Sequence, residues 1–253
     1  MTINFPYDKL LVMKPKRILS PPFFEIGPKS YLYGEEVLEL ALAANAASEK
    51  YRVDVLFTSP LVELRQVAEK ARNLFVLAPH MDPLRPGRGL ADTLPESLAV
   101  AGAAGVMLNH IERPLSLDTL ERTLRRADES GLLTVVCTGT IEQAKAVACL
   151  HPDVIVAEPA AQIGTGKASD MPWVRASIDA VKSVDPKILV LQGAGISCGK
   201  DVYNVIFAGA EATGSSSGIV MAQDQAAMID EMICAVRQAW DTRVCAQSME
   251  YAV

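Results

Sequence analysis

Short runs of apolar residues alternate along this chain with longer segments in which apolar residues recur at helical spacing. The short runs are rich in Val, Ile, Leu and Phe and show no regular polar alternation. Such runs are typical of parallel strands that are buried on both faces. Eight strands are predicted in this way, at 23–27, 53–57, 74–78, 105–109, 132–137, 153–157, 188–192 and, with the least apolar sequence, 212–215.

The longer segments predict helices between these strands. Residues 34–50, 115–131 and 140–152 have clear helical patterns. In the second of them, Ser116 is a typical start signal and Gly131 a typical stop signal. The order of the elements is therefore strand, helix, strand, helix throughout.

Eight such units predict a closed (β/α)8 barrel of the α/β class. A doubly wound open sheet is the alternative, but no Gly-x-Gly-x-x-Gly motif follows the first strand. The first residues carry prolines and scattered charges instead of a strand pattern. We expect an N-terminal arm at 1–16 and one barrel domain at 17–253.

Charge and composition narrow the class of partner. The 253 residues include 24 Lys and Arg against 30 Asp and Glu, a net charge of −6, which argues against nucleic acid. No apolar run is long enough to span a membrane, and the N-terminus lacks the apolar block of a signal peptide. Five cysteines without a Cys-x-x-Cys pair, and three dispersed histidines, predict reduced thiols and no metal site. We expect a cytoplasmic protein.

Candidate chemistry follows the strands, because ligands of a (β/α)8 barrel bind at the carboxyl ends of its strands. Lys29 follows the first predicted strand, His110 the fourth and Glu158 the sixth. The loop from Glu158 to Asp170 reads EPAAQIGTGKASD, with a rigid proline at one end and two glycines further on. This composition predicts a mobile lid over the site.

Two later loops favour a phosphate ligand. The seventh strand is followed by GAGIS at 193–197 and the eighth by GSSSG at 214–218, leading towards a long helix. Small residues let backbone N–H groups come close to an anion, and barrels often bind phosphate after these two strands. We expect a phosphorylated small molecule as substrate, since the positive field that it needs is local.

These motifs resemble those of the triosephosphate isomerase family. The segments AEPAAQIGTGK, LNHIER and IGPKSY are similar to the lid, histidine and lysine segments of that family, and HMDPLRPG, VVCTGT and GAGIS resemble its short, archaeal-like form. The resemblance implies an aldose-ketose isomerase of glycolysis and gluconeogenesis that interconverts dihydroxyacetone phosphate and glyceraldehyde 3-phosphate through an enediolate. It implies no cofactor, and a homo-oligomer, dimer or tetramer, with contacts through HMDPLRPGRG.

The resemblance also implies roles for individual residues. Glu158 matches the catalytic base, His110 the electrophile and Lys29 the lysine that faces the reacting oxygens. Glu112 matches a supporting carboxylate near that lysine. The phosphate would be held by Gly164, Gly195, Ser197, Ser216 and Ser217, with Ile196 as an alternative to Ser197.

Two positions depart from the family pattern. Gly27 stands where the family has Asn, which removes a polar group near the substrate oxygens and opens space, and Ile111 stands where Ser is usual. The extra space raises two alternatives, an isomerase of a four-carbon ketose phosphate and a sugar-phosphate-binding paralogue without turnover. Retention of Lys29, His110 and Glu158 together favours an active isomerase.

Overall fold

The fold is a closed barrel of eight parallel strands, each hydrogen bonded to the next along the chain, with the first bonded to the last. This computed structural model describes residues 15–162, 170–193 and 195–250. The predicted barrel is confirmed, and no strand end differs by more than one residue from its predicted position. The strands are β1 Phe23–Ile26, β2 Asp54–Thr58, β3 Phe75–Ala78, β4 Gly105–Leu108, β5 Leu133–Thr138, β6 Val154–Ala157, β7 Leu189–Gln192 and β8 Ala212–Ser215.

Helices connect the strands, and some of them start at a residue whose side chain caps the first turn. Ser116 accepts a hydrogen bond from the N–H of Thr119, and Asp170 accepts one from the N–H of Trp173. Gly131 adopts a left-handed conformation just after the second predicted helix, as its stop signal indicated. The helices are α1 Glu35–Tyr51, α2 Leu64–Lys70, α3 Pro95–Ala101, α4 Leu117–Glu129, α5 Ile141–Ala148, α6 Met171–Lys182, α7 Gly199–Phe207, α8 Ser217–Val220 and α9 Gln225–Glu250, with a 3-10 turn at Ala160–Gln162.

The segment after β8 contains a short helix that the sequence pattern did not predict. The four-residue α8 starts within GSSSG and precedes the long helix. The long helix starts later, where the Asp224 carboxylate accepts a hydrogen bond from the N–H of Ala227 at 2.9 Å. An acidic residue just before a helix satisfies N–H groups that have no partner within it. The short α8 therefore lies between the end of β8 and the start of the long helix.

The alternation of side chains along each strand produces two apolar cores. On β1, Phe23 belongs to the cluster inside the barrel, whereas Phe24 and Ile26 belong to the cluster between the strands and the helices. Gly105 on β4 has no room for a side chain, since a Cβ there would lie 2.5 Å from the carbonyl oxygen of Leu133. Close packing inside the barrel leaves only its two ends for chemistry.

Residues 16–20, which we call the N-terminal strap, cross the end of the barrel where the strands begin. Lys16 forms salt bridges with Asp128 and Asp153, at 2.8 and 2.9 Å. The Arg17 guanidinium lies 3.8 Å from the ring centre of Phe75, and Leu19 packs against the interior cluster. The strap covers this end, so the site must lie at the opposite one, the mouth. The boundary between arm and barrel at 16 and 17 stays a prediction.

Within the described ranges, no helix is both long and apolar enough to cross a membrane.

Candidate active site

The mouth of the barrel brings the three predicted catalytic residues together. Lys29 lies just beyond β1, His110 just beyond β4 and Glu158 directly after β6. Their charges act on shared neighbours: Lys29 lowers the pKa of His110, while Lys29 and Glu158 act in opposite directions on the pKa of Glu25. The side chains therefore form one electrostatic cluster.

His110 is held as a neutral imidazole. Its Nδ1 accepts a hydrogen bond from the backbone N–H of Glu112 at 3.2 Å, so the proton of the neutral ring is on Nε2. Burial lowers the pKa of His110, the charge of Lys29 lowers it further, and Glu112 opposes both. The ring thus keeps one donor, Nε2–H, for a ligand at neutral pH.

Asn109 fixes the turn that carries this histidine. Its backbone is in the left-handed region, at φ 57°, which asparagine tolerates better than most residues. Its side chain donates to the carbonyl oxygen of Cys137 at 3.0 Å and accepts from the N–H of Leu115 at 2.9 Å. The loop after β4 is thereby attached to β5, a role that the sequence pattern did not indicate.

Lys29 points its ammonium group towards Glu112. The two groups are 3.1 Å apart, with side chains 28% and 63% exposed. An exposed pair of this kind contributes little stability, about 0–1 kcal/mol, so its main effect is to orient the lysine. Because the N–H of Glu112 also donates to Nδ1 of His110, Glu112 contacts the histidine as well as the lysine that the resemblance placed near it.

The side chain of Glu158 packs against Gly193. Its N–H donates to the carbonyl oxygen of Thr138 at 3.0 Å, which extends the pairing of β6 and β5 by one residue. A Cβ on Gly193, the first residue after β7, would lie 3.0 Å from the Cβ and 3.1 Å from the Cδ of Glu158. The absence of a side chain at 193 is what gives the Glu158 carboxyl group its place.

Glu25 is a further acidic residue at this site, and the apolar pattern of β1 does not single it out. Thr58 donates a hydrogen bond to its Oε1 at 2.6 Å. Burial raises the pKa of Glu25 to about 7; the Thr58 hydrogen bond opposes this, the charge of Glu158 adds to it and that of Lys29 opposes it. A charged residue within a strand that is otherwise buried was the available signal.

The loops after β7 and β8 are packed against each other. The Ser215 hydroxyl donates to the carbonyl oxygen of Ile196 at 2.8 Å, and a Cβ on Gly218 would lie only 2.5 Å from that same oxygen. The Ser216 hydroxyl donates to the carbonyl oxygen of Gly27 at 2.6 Å, next to the lysine loop. Ser217 begins α8, and the first N–H groups of a helix have no acceptor within it.

Two further phosphate candidates lie in the loop after β7. Gly195 adopts φ 71°, a conformation that favours glycine. The N–H and the hydroxyl of Ser197 both donate to Oδ2 of Asp201, at 3.0 and 2.8 Å. Asp201 is in the first turn of α7, whose N-cap residue is Cys198, and its carboxylate reaches back to Ser197, the residue before that cap. A phosphate at Ser197 would have to replace or share this carboxylate.

Gly164, the remaining predicted phosphate ligand, lies outside the described residues. Among the residues that are described, no group of three or more His, Cys, Asp or Glu side chains could hold a metal ion.

Comparisons with known proteins agree on one family. A family model described as triosephosphate isomerase matches residues 27–232. The triosephosphate isomerase of Methanothermus fervidus is 34% identical over 203 residues, which cover 79% of this chain and 91% of that protein. That of Methanopyrus kandleri is 38% identical over 195 residues, which cover 76% of this chain and 86% of that protein. These relatives confirm the predicted resemblance to the archaeal form.

A solved structure supports the fold. The crystal structure of triosephosphate isomerase from Bartonella henselae superposes with a TM-score of 0.69 and covers 86% of this chain and 99% of its own. Its sequence is 19% identical to this chain, so the likeness concerns the barrel alone. The family match and the archaeal relatives supply what the fold cannot, since one barrel hosts many activities. The chain belongs to the triosephosphate isomerase family.

Proposed function

We propose that this protein interconverts dihydroxyacetone phosphate and glyceraldehyde 3-phosphate through an enediolate. The observation that carries the proposal is the state of His110, whose Nδ1 accepts from the N–H of Glu112 and whose ring therefore keeps a donor on Nε2. A neutral donor beside a lysine and a glutamate suits the movement of a proton between adjacent carbons. A neutral histidine in this role is the known case of the triosephosphate isomerases themselves, so this part of the chemistry follows from family membership.

Glu158 is the proposed base. It removes a proton from the carbon next to the carbonyl group and returns it to the neighbouring carbon. Its support is positional, because the close approach to Gly193 holds its side chain at the end of β6. A base that is placed before the substrate arrives loses little freedom during the reaction.

His110 and Lys29 stabilise the charge that develops. The Nε2–H of His110 donates to the substrate oxygen as it becomes negative, and this interaction strengthens in the transition state. The ammonium group of Lys29 favours the enediolate and the incoming phosphate through its compact charge. Glu112 is a positioning residue for both, through its contacts with the lysine and the histidine ring.

The phosphate binds through backbone N–H groups of the loops after β6, β7 and β8. We assign it to Gly164, Gly195, Ser197, Ser216 and Ser217. Contact between the last two loops, at Ser215 and Ile196, supports a shared anion site. At Ser197 the Asp201 carboxylate now occupies the donors, and the phosphate replaces it as their acceptor.

The comparisons favour the three-carbon substrate over the two alternatives, since the similar proteins carry the name triosephosphate isomerase. We further propose a homo-oligomer, dimer or tetramer, with contacts through the loop from His80 to Gly89. Support comes from Leu90, which is fully exposed directly after that loop. We place the protein in the cytoplasm, where its five free thiols stay reduced.

The role of Glu158 is tested by Glu158→Gln, with Glu39→Gln on the exposed face of α1 as the matched control. The amide keeps the shape of the side chain but cannot accept the proton. We expect kcat to fall by about a thousandfold, because general-base catalysis is lost. The control should match wild type.

Two measurements check this outcome. A coupled assay gives kcat and KM, and NMR in D2O follows the exchange of substrate hydrogen with solvent. A Glu158→Gln protein that isomerises and exchanges as fast as wild type would contradict the proposal. So would a wild-type protein that binds the substrate but does neither.

A further inference from the structure

The carboxyl group of Glu25 is inside the barrel and close to its mouth. Side chains alternate along a strand, so Glu25 faces the same way as Phe23, which belongs to the interior cluster. Phe24 and Ile26, on the other face, are fully buried, whereas Glu25 keeps some solvent exposure. Because the strap covers the far end, the solvent that Glu25 meets is the solvent of the mouth.

Two glycines make the space that this carboxyl group occupies. Gly214 is paired with Glu25 in the register of β8 and β1, and a Cβ on it would lie 3.1 Å from Oε2 of Glu25. A Cβ on Gly27 would lie 3.2 Å from Oε1. The sequence predicted that Gly27 leaves a polar group missing. Glu25 supplies a polar group beside that same space, from the preceding inward position of the strand.

The neighbours of Glu25 belong to the proposed machinery. The titratable groups that act on it are Glu158, after β6, and Lys29, after β1. The Cys137 thiol of β5 is also near, since the charges of Glu158 and Glu25 both add to the effect of burial in raising the pKa of that thiol. From β2, the Thr58 hydroxyl donates to Oε1. A carboxyl group among these residues faces whatever the base and the lysine bind.

We propose that Glu25 is a further catalytic residue, whose carboxylic acid form donates a hydrogen bond to an oxygen atom of the substrate at the floor of the mouth. The inference rests on the proposed isomerase function. The acid form is the active one, because a second carboxylate would repel both the ionised base and the negative enediolate. Glu25 keeps its proton throughout, so no bond to hydrogen forms or breaks at this residue.

The direction of the pH effect follows from the environment. With the pKa of Glu25 raised to about 7, the acid form dominates below that pH and is lost above it. Activity that depends on the acid form therefore falls as the pH rises through about 7. The substrate phosphate also titrates near neutrality, at about 6 for a phosphate monoester. The ratio of kcat/KM for a Glu25 variant to that for wild type, taken at each pH, removes the effect of substrate titration, because it is the same for both proteins.

The test compares Glu25→Gln with wild type, since the amide keeps a donor that cannot ionise. We expect kcat/KM of Glu25→Gln to be several-fold lower at about pH 6, and its ratio to wild type to rise at least about tenfold by about pH 9. Glu25→Ala removes the donor and should lower kcat/KM about a hundredfold at about pH 6, with a deficit that shrinks towards about pH 9, where wild type has itself lost the acid form. The exposed Glu39→Gln serves again as the matched control, with a flat ratio.

Thr58→Val gives an independent readout if Glu25→Ala fails to fold. The valine keeps the shape of the side chain but removes the hydroxyl that lowers the pKa of Glu25. The alkaline fall in kcat/KM of Thr58→Val should therefore occur at higher pH than that of wild type, so that the ratio of the two rises between the two falls. NMR of protein labelled at the glutamate side-chain carbon, compared with Glu25→Gln, follows the titration itself without any turnover.

The outcomes separate this inference from the proposed function. An active wild-type enzyme with a flat Glu25→Gln ratio, and with a Glu25→Ala protein as active as wild type, overturns the role of Glu25 and leaves the isomerase intact. A Glu25 titration at the ordinary pH of an exposed carboxyl group also overturns it. An inactive wild-type enzyme overturns the proposed function instead.

Discussion

In the three histidines of the chain, the hydrogen-bond partner of one ring nitrogen decides which nitrogen carries the proton. Nδ1 of His110 accepts from a backbone N–H, whereas Nδ1 of His151 faces the Asp185 carboxylate at 2.9 Å, and Nε2 of His80 faces Asp82 at 3.1 Å. A carboxylate partner requires a proton on the facing nitrogen, and an N–H partner forbids one. The same side chain therefore has two different tautomers in this protein.

We predict that long-range 1H–15N correlation spectra at neutral pH show His110 protonated on Nε2 and His151 on Nδ1. His110 should stay neutral as the pH falls through the ordinary pKa of histidine, since burial and Lys29 both lower its pKa. Substitution of each histidine in turn assigns the signals, and His80 and His151 are the internal controls. A proton on Nδ1 of neutral His110 would contradict this assignment.

At the scale of elements, two glycines control two different parts of the site. Gly193 gives space to the Glu158 side chain, and Gly218 lets the loops after β7 and β8 meet. In Gly193→Ala the new methyl group must displace a side chain by a few tenths of an ångström. In Gly218→Ala it meets a backbone oxygen at 2.5 Å, so the two loops must separate.

We predict that Gly193→Ala lowers kcat about tenfold through misplacement of the base, with little change in inhibition by inorganic phosphate. Gly218→Ala should raise the phosphate inhibition constant by about tenfold or more, because at least one hydrogen bond to the anion is lost. Steady-state kinetics with phosphate as inhibitor measures both, and each variant is the control for the other. If both variants changed kcat and the phosphate inhibition constant to the same extent, the assignment of Gly193 to the base and of Gly218 to phosphate binding would be wrong.

The elements themselves were largely predictable from the sequence. Continuous apolar runs located seven of the eight strands, because strands buried on both faces leave no other pattern, whereas ATGS of β8 was a weaker signal. Glu25 and α8 were not predictable in the same way. One charged residue does not disturb an apolar run, and its meaning depends on the pairing of β1 with Gly214 of β8, far away in the sequence. The engagement of Ser197 by Asp201 has no capping-box signal in the sequence, because the two residues are four positions apart and the N-cap of α7 is Cys198.

At the scale of the whole molecule, the strap ties the start of the barrel to its later strands. Lys16 bridges Asp128 at the end of α4 and Asp153 just before β6. The same Asp153 accepts from the N–H and the hydroxyl of Thr134 on β5, both at 2.8 Å. One half-buried lysine therefore holds elements that are more than a hundred residues away in the sequence.

We predict that Lys16→Met lowers the free energy of unfolding by about 1–2 kcal/mol, because it leaves a half-buried carboxylate without its cation. Lys50→Met is the matched control, since Lys50 also pairs with an aspartate, at 2.7 Å, but on the exposed surface. It should not change stability measurably. Urea denaturation gives both values, and kcat should be unaffected in either protein. A larger loss of unfolding free energy in Lys50→Met than in Lys16→Met would contradict the role of the strap.

The strap also leaves the mouth as the open end of the packed barrel. Water and protons that reach Glu25 enter by the mouth, where the substrate enters too. A substrate that fills the mouth would therefore isolate this carboxyl group from bulk solvent until the product leaves. Glu25 would then keep, through each turnover, the protonation state that it had when the substrate bound. The enzyme would behave as two populations, one with Glu25 protonated and one with Glu25 ionised, which interconvert only between catalytic cycles.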